Sequence, residues 1–151
     1  MRKLVIYTLL FFCQVIMAQS ASEAESLFNS KQYAKAKTMY EALLKKKPND
    51  ALNNYRLARC CYELNQYEDA VKYFERSGNR YTLKDLYLGE AYFHTYRFDL
   101  SVTAYQTFIA TLPPADERLE ELNLKLKKSE LAARLLNRVE DIAVVDSQVV
   151  N

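Results

Sequence analysis

The sequence is poor in the residues from which most active sites are built. Its 151 residues include one histidine, two glycines, three prolines, three cysteines and no tryptophan. Two glycines are too few for a β-rich fold with many tight turns, or for Gly-rich loops that cradle phosphate. A single histidine, His94, leaves little room for His-based metal or triad chemistry. Charge of one sign is also scarce. With 21 Lys+Arg against 19 Asp+Glu, the net of +2 is no footprint for nucleic acid. Apolar residues are plentiful at 50%, enough to build a core in a chain of single-domain length.

Even the small positive excess is confined to one end. Arg2 and Lys3 precede an apolar run from Leu4 to Met17, which ends at Met17-Ala18-Gln19-Ser20. A short basic segment, an apolar stretch and a small residue before the cut form a secretory signal peptide, so residues 1–18 are expected to be removed after Ala18. The run is shorter than the ~20 residues of a spanning helix, and no stable membrane insertion is expected after cleavage. Bulky Phe11 and Phe12 before Cys13 argue against a lipoprotein signal. Loss of Arg2 and Lys3 leaves 19 basic and 19 acidic residues, so a basic-surface argument for DNA, RNA or anionic lipid has no support.

What the chain does have is a period. Tyr33, Ala36 and Tyr40 recur 34 positions on as Tyr67, Ala70 and Phe74, and again 31 positions further as Phe98, Ser101 and Tyr105. Pro48 and Pro113 each fall eight residues after Tyr40 and Tyr105. Each unit holds two amphipathic stretches of helical length. Small residues at Ala24, Ala58 and Gly89, and at Ala36, Ala70 and Ser101, sit where paired helices must approach closely. The pattern is that of stacked helix pairs, stopped by proline where it occurs.

This spacing resembles the tetratricopeptide repeat (TPR). The best unit is Leu88-Gly89, Tyr92, Ser101, Tyr105 and Pro113; the middle one reads Leu57-Ala58, Cys61, Ala70 and Phe74 and lacks the proline. The resemblance implies an all-α, right-handed α-solenoid of about three helix pairs over 19–114 (about 19–50, 51–81 and 82–114), closed by a capping helix over 115–138. Between the second and third units, Gly78 or Asn79 is expected to cap a helix. In the capping segment Leu119, Leu122 and Leu126 form one stripe, and Leu124, Leu131 and Leu135 form a second that needs another partner. The β-branched run Val139 to Val150 predicts an extended tail over 139–151, or the start of a following domain.

The same resemblance implies a concave groove lined by the first helix of each pair. Its partner-binding residues are expected to be Phe28, Tyr55, Arg59, Tyr62, Glu63, Glu90 and Phe93. The partner is a protein or peptide segment of unspecified identity, and the sequence leaves the oligomeric state open. Co-chaperone repeats that clamp a terminal carboxylate use Lys and Asn at set positions. Here Ala21, Glu25, Arg56, Leu83 and Tyr87 stand there, so an acidic-tail chaperone partner is not expected. A signal peptide, a few repeats, a Leu-rich helix and the Val-Glu-Asp-Ile-Ala-Val-Val-Asp-Ser run together resemble the N-terminal part of Bacteroidota envelope proteins that join such repeats to a β-propeller.

No reactive constellation stands beside this. Cys60 and Cys61 are adjacent on one helix, a geometry that excludes a disulfide between them, and read as small buried hydrophobes. His94 falls at a helix end with no nucleophile linked to it. Asp116, Glu117, Glu120 and Glu121 lack the glycine turn of a calcium loop. The sequence therefore predicts a non-catalytic scaffold of the bacterial periplasm, without cofactor or metal. Its alternative is a structural spacer at the head of a larger envelope protein.

Overall fold

The computed structural model describes residues 20–149, with side chains described over 20–139. The signal segment at 1–18 lies outside the described residues. Among the described residues there are seven helices and no strand: α1 (20–29), α2 (Tyr33–Lys46), α3 (Ala51–Glu63), α4 (Tyr67–Arg76), α5 (Lys84–His94), α6 (Phe98–Ile109) and α7 (Leu119–Val149). They divide into two compact units, the first ending at Asn79 and the second beginning at Arg80.

The repeat in the sequence becomes a repeat in the backbone. Each first helix ends on a non-glycine residue in the left-handed region: Lys31 (φ 59°), Asn65 (φ 56°) and Tyr96 (φ 59°). At each, the residue after it sends its N–H back five positions: Gln32 to Leu27 O at 2.9 Å, Gln66 to Cys61 O at 2.8 Å and Arg97 to Tyr92 O at 2.9 Å. This is a Schellman cap, which satisfies the carbonyls left open at a helix end. It reverses the chain within a few residues, so the second helix of each pair starts two residues later.

In the first unit, α2 packs on α3 and α3 on α4. Ala24, Ala36, Ala58 and Ala70 are all fully buried, as the repeat requires. Tyr40 and Phe74 fill the core beside them. Cys60 and Cys61 are buried free thiols, and burial pushes both up to about 12. The start of α3 is fastened twice. Asp50 accepts the Asn53 N–H at 2.9 Å as an N-cap, and Asn54, itself fully buried, donates to Pro48 O at 2.9 Å and Asp50 O at 2.8 Å. Gly78 follows the end of α4 with φ 73°, the left-handed cap expected there.

In the second unit, α5 packs on α6 and α6 on α7. Its core is Tyr105, Phe108 and Leu122, with Leu83, Leu86, Ile109, Leu112 and Leu126 packed around them. Leu122 and Leu126 thus come from the first leucine stripe and dock α7, as expected. Ser101, in place of the alanine of the earlier units, donates to Gly89 O at 2.7 Å and pairs with the Ser129 hydroxyl of α7 at 2.9 Å.

Two boundaries need correction. The capping helix begins at Leu119, not at 115, because the preceding Asp116 is held in a turn by Arg118: Arg118 donates to its carboxylate through Nε at 2.8 Å and Nη2 at 2.7 Å. The expected extended tail is also wrong as far as Val149, since α7 continues through 139–149. β-branched residues cost a helix only a few tenths of a kcal/mol each, whereas nucleation, the large cost, is already met upstream.

Candidate functional site

The seven residues expected to line the groove divide between the two units, and each unit is taken by itself. In the first, Phe28 on α1 is the centre of a charged cluster. The Arg56 guanidinium of α3 lies 4.7 Å from its ring centroid, and that of Arg59, one turn on, lies at 6.0 Å. Arg56 reaches back to Glu25 of α1 at 2.6 Å, and Arg59 pairs with Glu63 at 2.9 Å. Two arginines and two carboxylates balance, so the surface around Phe28 is polar but neutral. Guanidinium over an aromatic face contributes roughly 0.5–1 kcal/mol at an exposed site, more when shielded from water.

Phe28, Arg59 and Glu63 therefore lie together. Tyr55 and Tyr62 reach towards α4. Tyr55 meets Phe74 of α4 edge-on at 5.9 Å, and Tyr62 meets Tyr67 of α4 in the same manner at 5.9 Å. Both tie α3 to α4 while remaining half-exposed. Glu25 and Arg56 complete the cluster. Their opposite charges at groove positions were visible in the sequence, but the 31-residue separation hid the contact.

The first unit also carries a cavity of about 320 Å³ bordered by the ends of α2 and α4 and the start of α3. Leu44, Leu57, Pro48 and Tyr73 supply its apolar surface, and Glu41, Lys45 and Arg76 its charge. Asn54 borders it through a side chain whose Nδ2 fastens α3.

In the second unit, Glu90 and Phe93 of α5 do share a site. They line a pocket of about 140 Å³ with His94, Tyr105, Lys125 and Lys128. The Glu90 carboxylate accepts from the Tyr105 hydroxyl at 3.2 Å and from Lys125 Nζ at 2.9 Å. Lys125 also pairs with Glu121 at 3.2 Å. Burial pulls the Lys125 ammonium down, but the two carboxylates outweigh it and hold it above the usual lysine value. Phe93 is fixed edge-on against Phe98 at 5.4 Å and His94 at 6.1 Å. Glu90 is thus neutralised by Lys125, while Lys128 adds a further cation to the rim.

Sequence reasoning missed both lysines, because α7 was read only as a cap and Lys125 lies 35 residues from Glu90. Tyr105 was assigned to the core, which is correct for its ring, but its hydroxyl reaches the pocket. His94 is the exposed helix-end residue expected. Among the described residues, no group of three or more His, Cys, Asp or Glu is placed to hold a metal ion, and no helix is long and apolar enough to cross a membrane.

Known proteins resemble the chain in two ways. Residues 20–83 match the family model described as Tetratricopeptide repeat. Among solved structures, the TPR2B domain of yeast Sti1 in its pHsp70 complex superposes with a TM-score of 0.59 at 13% identity, over 76% of this chain and 96% of that one. No curated protein matches. The sequence match spans α1 to α4, the structural match reaches beyond them, and the fold class is an all-α solenoid of tetratricopeptide-type helix pairs.

Proposed function

We propose that the chain is an exported, non-catalytic scaffold of the bacterial cell envelope that holds a segment of another protein against its first helices. The observation that carries this reading is the pocket where Glu90 and Phe93 meet Lys125 and Lys128. It offers a fixed aromatic wall, a neutralised carboxylate and an extra cation, which together suit an apolar side chain beside an acidic one. The Phe28 cluster of the first unit offers an aromatic ring flanked by arginines, material typical of binding hot spots. The fold class supports the reading further, since helix-pair solenoids use their surfaces to hold other proteins. Export rests on Arg2, Lys3, the apolar run to Met17 and Ala18.

The rival reading, a spacer at the head of a larger propeller protein, drew on the signal segment, the repeats and the Leu-rich helix as well as on an extended run from Val139. The helix to Val149 removes that conformation. The test of the scaffold reading is affinity capture from envelope extract with the wild-type chain, Phe93→Ala and Arg59→Ala. Loss of the same captured protein in Phe93→Ala, with the thermal midpoint kept, is the expected result. Unchanged capture by both variants would place the binding surface elsewhere. Export is checked separately by the mass of the protein recovered from the periplasm, which should begin at Gln19.

A further inference from the structure

The cavity bordered by the ends of α2 and α4 and the start of α3 shares no residue with the Phe28 cluster or with the pocket around Glu90. Its volume of about 320 Å³ lies at the lower end of the range for small-molecule sites. Leu44, Leu57 and Tyr73 give it an apolar wall, which suits a short aliphatic or aromatic group.

Its polar lining is of two kinds. Lys45, in the last turn of α2, and Arg76, in the last turn of α4, are exposed cations, and among the described residues neither forms an ion pair. Basic side chains at helix ends are favoured by the dipole alone, so these two by themselves assign nothing. The other kind is an acceptor. Glu41 stands one turn before Lys45, and its carboxylate pairs at 3.5 Å with Lys37, which lies outside the lining. Asn54 is fully buried. Its Nδ2 donates to the carbonyls of Pro48 and Asp50, yet its Oδ1, buried with it, accepts no hydrogen bond among the described residues. The two carbonyls fix which amide atom is which, because only the nitrogen donates. A buried acceptor left unmet is costly, and the helix dipole gives no account of it. An occupant that brings a donor meets it.

We propose that this cavity binds a small free α-amino acid with an apolar side chain. Its carboxylate sits between Lys45 and Arg76, its ammonium between Asn54 Oδ1 and Glu41, and its side chain against Leu44, Leu57 and Tyr73. The mixed lining selects this class. A plain anionic acid leaves both acceptors unmet and brings its charge toward Glu41. A plain amine brings its charge toward Lys45 and Arg76. A leucine inside a protein chain offers an N–H to Asn54 but nothing to the two cations.

The test is an NMR titration of the isotope-labelled chain with L-leucine and L-phenylalanine. Three blocked forms are compared with L-leucine: N-acetyl-L-leucine, which lacks the ammonium; L-leucinamide, which lacks the carboxylate; and N-acetyl-L-leucinamide, which lacks both and stands in for a leucine within a protein segment. L-Leucine should bind about tenfold or more tighter than each. The Asn54 side-chain Nδ2–H resonances should shift on binding, because a donor reaching Oδ1 polarises the same amide. Lys45→Gln with Arg76→Gln should weaken L-leucine about tenfold and leave L-leucinamide unchanged. Both side chains are exposed, so circular dichroism should show the thermal midpoint kept. Saturable binding of neither amino acid would overturn the proposal. So would leucine binding that leaves the Asn54 resonances in place. Equal affinity for N-acetyl-L-leucine would make the cavity a plain anion site, and equal affinity for N-acetyl-L-leucinamide would make its occupant a protein segment; either result refutes it.

Discussion

Gly89 lies directly beneath the ring of Tyr105: a Cβ on Gly89 would stand 2.9 Å from both Cδ1 and Cε1 of that ring. The contact joins α5 to α6 within the second unit. The ring has little freedom to move aside, because it is buried and its hydroxyl donates to Glu90. Alanine at 89 would relieve up to ~1 kcal/mol of helix propensity, but forcing a methyl into this contact costs about 1–3 kcal/mol. Gly89→Ala is therefore expected to destabilise the chain by about 1 kcal/mol in urea unfolding. A stabilised variant would show that the ring relaxes freely. Ala58, the equivalent residue of the middle repeat, shows that the position itself admits a methyl group where the facing residue allows it.

Lys31 supplies the opposite case. It is an exposed residue with φ 59° at the cap of α1. An L-residue in the left-handed region costs roughly 1–2 kcal/mol, and glycine does not incur it. Lys31→Gly should raise stability by about 0.5–1 kcal/mol, part of the gain being returned as extra freedom of the unfolded chain. Asn65→Gly should gain less, because asparagine tolerates this conformation and its side chain also accepts the Tyr67 hydroxyl at 2.8 Å. A stability loss in Lys31→Gly would refute the cap geometry.

The start of α3 should be sensitive to both of its fastenings. Asp50→Ala removes the N-cap and is expected to cost about 1 kcal/mol. Asn54→Ala removes the side-chain donor from the carbonyls of Pro48 and Asp50, the latter keeping the Asn54 backbone N–H at 3.0 Å, and opens space in a fully buried position. A loss of roughly 2–3 kcal/mol is expected from unmet hydrogen bonds and lost packing. If chemical denaturation gave equal, small losses for the two, the Asn54 bridge would not hold the loop.

Alkaline pH should weaken the first unit. Cys60, Cys61 and Tyr40 are all pushed up to about 12, chiefly by burial. A folded value above the unfolded one means the folded state keeps its protons longer. Its stabilising effect is complete below the unfolded values, near 8.5 for thiols and near 10 for tyrosine, and is lost as pH rises toward 12. Thermal midpoints should fall across that range, and Cys60→Ala with Cys61→Ala should flatten the fall. The native thiols should also resist iodoacetamide at pH 8 until the chain unfolds. Rapid native labelling would contradict their burial.

How far the sequence could be read depended on distance along the chain. The helix pairs were legible because a 34-residue period and the small residues at 24, 36, 58, 70, 89 and 101 encode a packing rule that acts within each repeat. The burial of both cysteines and the docking of α7 by Leu122 and Leu126 followed from the same rule. The end of α7 was misread, because local β-branched composition weighs less than the continuation of a helix already formed.

Sequence alone therefore determined the fold class, the repeat register and the residues from which a binding surface could be drawn. Tertiary structure decided which of those residues meet. It drew Tyr55 and Tyr62 onto α4, set Arg56 and Arg59 over Phe28, and brought Lys125 to Glu90 across 35 residues. The physical reason is that helical periodicity specifies which face a residue occupies, whereas its partner is specified by which helix packs against that face.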